Sequence, residues 1–261
     1  MRMFRILALL QYDFLVFKIS KWRIIDTFYI PAASLFLWGF FLTYAREFAL
    51  QAAFILLIVQ VFISFVYLSQ SGVSVQLMDD IWSRSLREML TSPIRISEYL
   101  IARSLFSGGR AFVSFFLLLV GAGFLFAFDL AFSALGLWLL VGGLSLVASI
   151  GLGIFICSMI LRLGAEYGFL SWAAIEFFIV LSAPFYPLSI FPLPLQYVAA
   201  AMPYTWTFEV VKTFIATGVV DMELLWRAVL VSVAYVAVSF PVFQYTYQNS
   251  RAKGRLIRLW G

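Results

Sequence analysis

The residues of this chain that are able to do chemistry are few, and their types exclude most catalytic sites. The sequence has no histidine, so it has no histidine general base, no Ser-His-Asp triad and no histidine-ligated metal site. Its one cysteine, Cys157, cannot form an internal disulfide or build a thiolate metal site alone. No glycine is followed by lysine, so no G-x-x-x-x-G-K-[ST] phosphate-binding loop occurs. The sequence therefore predicts no catalytic residues, no cofactor and no metal on this chain.

One polar segment, residues 79–93, has the pattern of a short amphipathic helix. Asp79 and Asp80 are typical of a helix N-cap, and Pro93 is typical of a helix end. At 100° per residue, one face is apolar and the opposite face is charged. The apolar face holds Trp82, Leu86, Met89 and Leu90, and the charged face holds Arg84, Arg87 and Glu88. Such a helix either lies on lipid headgroups or docks into a partner protein, and its composition does not separate the two.

A second segment, residues 184–203, holds five of the eight prolines and is nevertheless apolar. Proline removes a backbone donor and stops helices, and broken backbone at membrane depth occurs only inside protein or along a cavity. We therefore expect a re-entrant or interfacial pair of short helices here, with an ordinary proline-rich loop as the alternative. The residues that carry this prediction are Pro184, Phe185, Tyr186, Pro187, Pro192, Pro194 and Pro203.

Glu176 lies about ten residues into a predicted membrane span, which places it about 15 Å deep. An intramembrane carboxylate is a functional hypothesis by default. The alternative is a protonated glutamate that packs helices together. No intramembrane lysine or arginine is expected to be available to pair with Glu176, and this argues against a proton relay or ion coupling.

Small residues recur every four positions in another predicted span, at Ser145, Ser149, Gly153 and Cys157. A ridge of small side chains lets a second helix backbone approach closely. The ridge predicts either tight packing within the subunit or a seam between two subunits.

The composition requires a membrane around these segments. Of 261 residues, 64% are hydrophobic and 12% are charged, and the mean hydropathy is +1.00, whereas soluble domains carry about 25% charge. Apolar stretches of about 20 residues predict six spanning helices. Arg46 and Glu47 form a very short turn, so the first two spans are expected to form a helical hairpin. The six spans lie near residues 27–44, 48–69, 108–128, 132–160, 167–190 and 224–247.

Lysine and arginine are divided unequally between the two sides of this six-span topology, and the division predicts its orientation. One side has three of these residues, Arg46, Lys212 and Arg227. The other side has fifteen, in residues 1–26, 70–110 and 248–261 and at Arg162. Because basic loops stay in the cytoplasm, we expect both termini to be cytoplasmic in a multi-pass protein of the cell membrane. The net charge of +5 then reflects cytoplasmic loops and not a nucleic-acid partner.

The predicted fold is one all-α integral membrane domain over residues 1–261. It has an interfacial N-terminal segment over 1–26, helices 1 and 2 over 27–69, and a cytoplasmic amphipathic helix over 79–93. Helices 3 to 6 follow over 108–247, with the proline-broken external segment before the last span. A basic cytoplasmic tail occupies residues 248–261.

Two motifs, in this order and in a six-span chain of this polarity, resemble the membrane subunit of type-2 ATP-binding-cassette (ABC) exporters. That group includes polysaccharide, teichoic-acid, lipo-oligosaccharide and drug export permeases. Residues 85–93 look like the family's basic-acidic-Leu-Leu-x-x-Pro coupling segment, and residues 184–212 are similar to its phenylalanine–proline signature. The opening Trp22-Arg23 through Trp38-Gly39 fits as well. Met202 and Lys212 depart from the family, which often has asparagine and arginine there.

The resemblance implies the permease subunit of an ATP-driven exporter for an amphiphilic substrate, such as a lipid-linked glycan, a lipid or a hydrophobic drug. It implies a second permease, taken here as an identical copy, and two separate ATPase subunits that hold ATP and Mg. It implies an external gate at 184–203 and an export path between the permeases. The coupling residues that would dock in the ATPase are Trp82, Arg84, Leu86, Arg87, Glu88, Met89 and Leu90.

Two other functions compete with this one. An ion-coupled secondary carrier or channel predicts paired intramembrane charges or an internal repeat, and Glu176 is the one residue expected to carry a charge deep in the membrane. A membrane enzyme that acts on lipids predicts clustered histidine, aspartate or arginine at the membrane surface, and the chain has no histidine.

Overall fold

The structure of the chain is a computed structural model that describes residues 3–83, 85, 92–126, 132 and 134–253, without the side chains of 46–51. The described residues form helices and turns and no strand, which confirms the all-α prediction. A π-helical turn covers Ile25–Tyr29, and 3-10 turns cover Ala165–Phe169 and Leu188–Ile190. The α-helices are α1 Met3–Ile19, α2 Lys21–Ile24, α3 Ile30–Trp82, α4 Ile96–Phe126, α5 Leu135–Leu163, α6 Leu170–Leu181, α7 Leu193–Ala200, α8 Thr205–Thr217 and α9 Met222–Ala252.

Within the described residues, five helical stretches are long and apolar enough to cross a membrane. Most of these stretches extend beyond the spans predicted from the sequence, and the first stretch begins before residue 27, where the first predicted span begins. The predicted loop over 70–110 is wrong over most of its length, because α3 continues to Trp82 and α4 already begins at Ile96. The five stretches are Lys21–Ala45, Ala52–Trp82, Ile96–Phe126, Leu135–Leu163 and Met222–Ala252.

The predicted span over 167–190 is wrong as a single long helix. α6 has 12 residues, so it is about 18 Å long, whereas a bilayer core is about 30 Å thick. Ala183, just beyond it, has a positive φ of 48°. Pro184 explains the break, because proline disfavours helical backbone at the residue before it and offers no N–H to the Val180 carbonyl.

The two halves of α3 lie side by side, although its backbone is helical from Ile30 to Trp82. Gln60 Nε2 donates a hydrogen bond to Ser34 Oγ at 2.8 Å, across 26 residues. That many residues of straight helix would be about 39 Å long. The chain therefore reverses direction between Ser34 and Gln60, as the predicted hairpin requires.

Asp79 and Asp80 do not cap a separate helix, so the predicted N-cap over 79–93 is wrong. They lie in the last turn of α3, which ends at Trp82. Trp82 is 58% exposed and its ring lies 6.5 Å from the ring of Trp172. The other coupling residues predicted from the sequence, Arg84, Leu86, Arg87, Glu88, Met89 and Leu90, lie outside the described residues.

The small-residue ridge of α5 packs within the subunit, which confirms the first of its two predicted roles. Ser145, Ser149 and Cys157 are buried. Ser149 Oγ donates to the Tyr204 hydroxyl at 3.2 Å. A Cβ on Gly153 would lie 3.0 Å from the Gln70 carbonyl oxygen of α3. The ridge is therefore covered by α3 and by the residues that precede α8.

Gly151 is a point where the backbones of α5 and α9 approach each other closely. A Cβ there would lie 2.8 Å from the backbone of Tyr235 and Val236. Gly151→Ala is expected to lower the free energy of unfolding by about 2 kcal/mol, because backbone atoms cannot rotate away from the added methyl group. Gly143→Ala is the matched control in the same helix, since a Cβ there meets nothing within 4 Å. Thermal unfolding of both variants in one detergent measures the difference, and equal melting temperatures would contradict the prediction.

Candidate functional site

A polar cleft of about 470 Å³ lies between the first span, the last turns of α3, the middle of α4 and the beginning of α6. Its volume is within the range of small-molecule sites. Four lining residues are charged, namely Arg23, Asp26, Asp79 and Arg110. Aromatic rings lie among these charges, from Trp22, Tyr67, Trp82 and Trp172.

Two ion pairs balance the charge of the cleft. Arg23 Nη2 lies 2.5 Å from Asp79 Oδ2, whereas Arg110 Nη1 lies 4.0 Å from Asp26 Oδ2. Arg110 Nε is buried and has no hydrogen-bond partner within the described part of the chain. The longer pair therefore leaves donor capacity on Arg110 for a ligand. No group of histidine, cysteine, aspartate and glutamate side chains in the described ranges is placed to hold a metal ion.

A local break in the first span shapes this wall of the cleft. Pro31 has no N–H, so the carbonyl of Thr27 lacks the helical donor that is usually found four residues later. The backbone adopts the π-helical turn, and Ser114 Oγ of α4 donates to the Thr27 carbonyl at 2.8 Å. Asp26 lies within this turn. π-helical turns of this kind are frequent at functional sites.

Next to Asp79, Asp80 belongs to a buried ion cluster, the Arg103 cluster, formed by Asp13, Asp80, Tyr99 and Arg103. The Arg103 guanidinium pairs with Asp13 of α1 and with Asp80 of α3, the latter at 2.6 Å. The Tyr99 hydroxyl donates to Asp80 Oδ2 at 2.6 Å. None of the four side chains is more than 5% exposed. The cluster therefore ties α1, α3 and α4 together through charges that water does not reach.

The Arg103 cluster also contacts the segment that the sequence predicts to be the coupling helix. Ser85 Oγ donates to Asp80 Oδ1 at 3.1 Å. Ser85 belongs to residues 83–93. A displacement of this segment would therefore act directly on a carboxylate of α3 that is bound to Tyr99 and Arg103 of α4.

Sequence reasoning missed Arg103 and Arg110 because it assigned both to a loop. Both lie on α4, so the prediction that the spans lack basic residues is wrong. The signal was present in their spacing, because residues 103, 107, 110 and 114 share one helix face. Ser107 Oγ on this face donates to the Ser69 carbonyl of α3 at 2.9 Å. The face is thus a polar seam between α4 and its neighbours.

The proline-containing segment begins at the end of α6 that is remote from the cleft, and Lys212 of α8 supports it. Lys212 Nζ donates to the carbonyls of Ala183 and Tyr186, each at 2.8 Å, and to Glu209 Oε1 at 2.7 Å. Burial lowers the pKa of Lys212, and the Glu209 carboxylate opposes that shift. Pro187 cannot supply an N–H to Ala183, so the ammonium replaces a donor that the prolines remove.

The residues predicted for the external gate occupy this same region. Phe185 stacks on Trp38 of the first span with ring centroids 5.8 Å apart, and Tyr186 meets Phe191 edge to face at 5.4 Å. The two short helices that the sequence predicts correspond to the 3-10 turn Leu188–Ile190 and α7. Pro192 and Pro194 lie at the beginning of α7, and Pro203 lies in the turn before α8.

One comparison with known proteins identifies the family. The sequence profile described as ABC-2 type transporter matches residues 5–215. The chain belongs to the ABC-2 type transporter family. The matched region of this ABC-2 permease contains the polar cleft, the Arg103 cluster and Lys212, and it ends before α9. No curated protein matches the chain by sequence.

Membership makes the chain a transmembrane permease subunit of an ABC transporter, a kind of component that is generally not catalytic. Its membrane-spanning helices make it a multi-pass membrane protein.

Glu176 of the ABC-2 permease lies on an exposed face of α6 and forms no ion pair with any described residue. Glu176→Gln is expected to leave transport largely intact and to change the free energy of unfolding by at most about 0.5 kcal/mol, as for other exposed sites. Transport from membrane vesicles and thermal unfolding measure both effects. Loss of transport in a variant that folds and assembles normally would assign Glu176 a direct role.

Proposed function

We propose that this ABC-2 permease is the transmembrane subunit of an ATP-driven exporter that moves an amphiphilic substrate out of the cytoplasm. The observation that carries the proposal is the position of the polar cleft, which lies next to the start of the predicted coupling segment, residues 83–93. Asp79 lines the cleft, and its neighbour Asp80 bonds Ser85. Substrate binding and movement of the coupling segment would therefore act on adjacent residues of α3.

The lining of the cleft supports an amphiphilic substrate. Charged side chains can bind a polar headgroup, and the rings of Trp22, Tyr67, Trp82 and Trp172 offer flat apolar faces for stacking. Arg110 lines the cleft, and its Nη1 lies 4.0 Å from Asp26 Oδ2, too far for a hydrogen bond, so this nitrogen can donate to an acceptor on the ligand. A lipid-linked glycan, a lipid or a hydrophobic drug would satisfy these groups better than a small ion.

The proposed topology has six crossings with both termini in the cytoplasm of the cell membrane. α6 and the segment 184–203 together form the fifth crossing, in which the proline-broken part is re-entrant from the outside. α1 lies in the cytoplasmic interface, where exposed Phe4, Leu7, Phe14 and Leu15 contact lipid. The fifteen-to-three division of lysine and arginine becomes thirteen to three when Arg103 and Arg110 of α4 are left out, and it still supports this orientation.

The functional assembly would contain two permeases, identical in the simplest case, and two copies of an ABC ATPase that bind ATP and Mg. ATP binding would close the ATPase dimer and move residues 83–93. The motion would pass through Asp80 and Arg103 into α3 and α4. The segment 184–203 would then open the external side of a path between the permeases. Such a cycle requires the substrate to bind the two conformations with different affinities.

An ion-coupled carrier is a second candidate because of one observation, the buried carboxylates of Asp13 and Asp80. Both carboxylates are paired with Arg103. This pairing favours a structural role over cation transport. Dependence of transport on an ion gradient, without any ATPase, would favour the carrier.

The double variant Leu86→Ala with Met89→Ala tests the coupling. If the segment docks in the ATPase, loss of two anchors is expected to cost about 2 kcal/mol or more, which weakens ATPase binding roughly 30-fold. Co-purification of the ATPase and export from the same membranes measure the effect. Arg87→Ala is expected to produce part of it.

The matched control is Leu105→Ala with Val113→Ala, which removes exposed apolar side chains from α4. It is expected to leave ATPase binding unchanged. Full ATPase binding and full export in the Leu86 and Met89 variant would remove this segment from the coupling role.

A further inference from the structure

A second cavity, the α9 groove, has a volume of about 590 Å³ and shares no lining residue with the polar cleft. It lies where the C-terminal ends of α5 and α9 meet. Arg162 of α5 and one face of α9, from Pro241 to Lys253, form its walls. We propose that the α9 groove binds one anionic phospholipid, with its phosphate between Arg162 and Lys253 and an acyl chain along α9.

The charge of the groove is the first argument. Its lining contains two cations and no carboxylate. Neither Arg162 nor Lys253 forms an ion pair with any residue that the structure describes. In the polar cleft, by contrast, each arginine faces an aspartate. Basic pockets between membrane helices attract anionic headgroups, so the unbalanced charge favours an anion here.

Stabilisation of helix ends is the simpler explanation for these cations, since Arg162 lies in the last turn of α5 and Lys253 caps α9. That role requires each cation to lie near its own helix end. It does not require the two side chains to line one cavity. Their convergence on the α9 groove is what the phospholipid explains.

The second argument is the order of residues along α9. Pro241 and Val242 line one end of the groove, Thr246 and Asn249 follow, and Lys253 lies at the other end. These residues share one face of a helix over about 18 Å. Apolar, hydrogen-bonding and cationic groups thus follow the order of acyl chain, glycerol ester and phosphate in a phospholipid. A free phosphate would use only the last turn of this face.

The two walls are also fixed relative to each other. Ser250 Oγ of α9 donates to the carbonyl of Leu161 at 3.2 Å, and Leu161 is the neighbour of Arg162. A pocket held in this way needs little rearrangement to accept a ligand, which favours binding of a single lipid over loose contact with bulk lipid.

The test uses the purified full-length permease without any ATPase, and native mass spectrometry to count retained lipids. We expect the wild-type protein to retain one phosphatidylglycerol in preference to phosphatidylcholine. Arg162→Gln with Lys253→Gln is expected to weaken phosphatidylglycerol binding by about 25-fold, at about fivefold for each cation. Val242→Trp fills the apolar end of the groove and is expected to weaken binding without any change of charge.

Lys18→Gln with Lys21→Gln is the matched control, because both lysines are exposed and lie on α1 and α2. We expect it to leave phosphatidylglycerol binding unchanged, and an excess of inorganic phosphate not to displace the lipid. An equal loss in the control pair would mean general surface charge, and complete displacement by phosphate would mean a simple anion site. Equal retention of phosphatidylcholine would mean an apolar groove. Each of these results overturns the proposal, and none depends on export or on the ATPase.

Discussion

Replacing Arg103 by methionine is expected to lower the free energy of unfolding by about 3–5 kcal/mol, which is the usual cost of removing one partner of a buried ion pair. Arg103 is 2% exposed and bonds carboxylates from two other helices. Methionine fills most of the same space, so packing is largely kept. The loss comes from Asp13 and Asp80, whose charges would stay buried without a cation.

Thermal unfolding of the purified permease measures this effect, and Arg227→Met is the matched control. Arg227 pairs with Glu223 four residues earlier in α9, and both side chains are well exposed. Such pairs are worth about 0.5 kcal/mol or less. A melting temperature for Arg103→Met as high as that of the control would mean that the cluster does not hold the helices together.

A triple variant distinguishes two possible costs of Arg103→Met. One is the lost attraction between opposite charges, and the other is the burial of two carboxylates without a cation. If uncompensated carboxylates are the main cost, Arg103→Met with Asp13→Asn and Asp80→Asn should be more stable than Arg103→Met alone. Replacing both sides of a buried ion pair by neutral groups is often close to neutral in stability. A triple variant that is less stable than the single variant would show that the cost lies elsewhere.

The same cluster shows why part of the fold was predictable and part was not. α5 and α9 were predicted at 132–160 and 224–247, close to their observed bounds. Both are long apolar runs, and Asp221 caps α9 by accepting from the amides of Glu223 and Leu224. Such features are local in sequence. They can therefore be recognised without knowing what the helix packs against.

Arg103 and Arg110 could not be placed in the same way. Hydropathy treats an arginine as evidence for a loop, because a charge in a span is costly unless it is paired. Their partners, Asp13 and Asp26, are far away in sequence and come from the N-terminal helices. Only the packing of α1 and the first span against α4 brings these charges together. The sequence therefore did not predict the polar cleft, because it does not show that these distant residues come together.

The fifth predicted span is not one long helix, for a different reason. Residues 167–190 are apolar enough to cross a membrane, and a hydropathy window does not register backbone geometry. Pro184 and Pro187 remove two donors, and Ala183 adopts a positive φ. The cluster of prolines indicated a break, but the side chain that completes it comes from Lys212 in a later helix.

Lys212→Met is expected to lower the free energy of unfolding by about 3 kcal/mol, because it leaves one buried and two partly buried acceptors without a charged donor. Those acceptors are the carbonyls of Ala183 and Tyr186 and the carboxylate of Glu209. The loss should be concentrated in the segment around 183–190, where the prolines leave the backbone with few other donors. Thermal unfolding measures the global effect, and hydrogen exchange of the amides in this segment measures the local one.

Lys212→Arg is the matched variant, because it keeps the charge and supplies several donors in a planar group. It is expected to retain most of the stability that methionine loses. If the segment 184–203 is the external gate, Lys212→Met should also open it, so that its amides exchange faster while those of α5 do not. Unchanged exchange at 183–190 in Lys212→Met, together with an unchanged melting temperature, would mean that the broken backbone is held by its own packing and not by the ammonium.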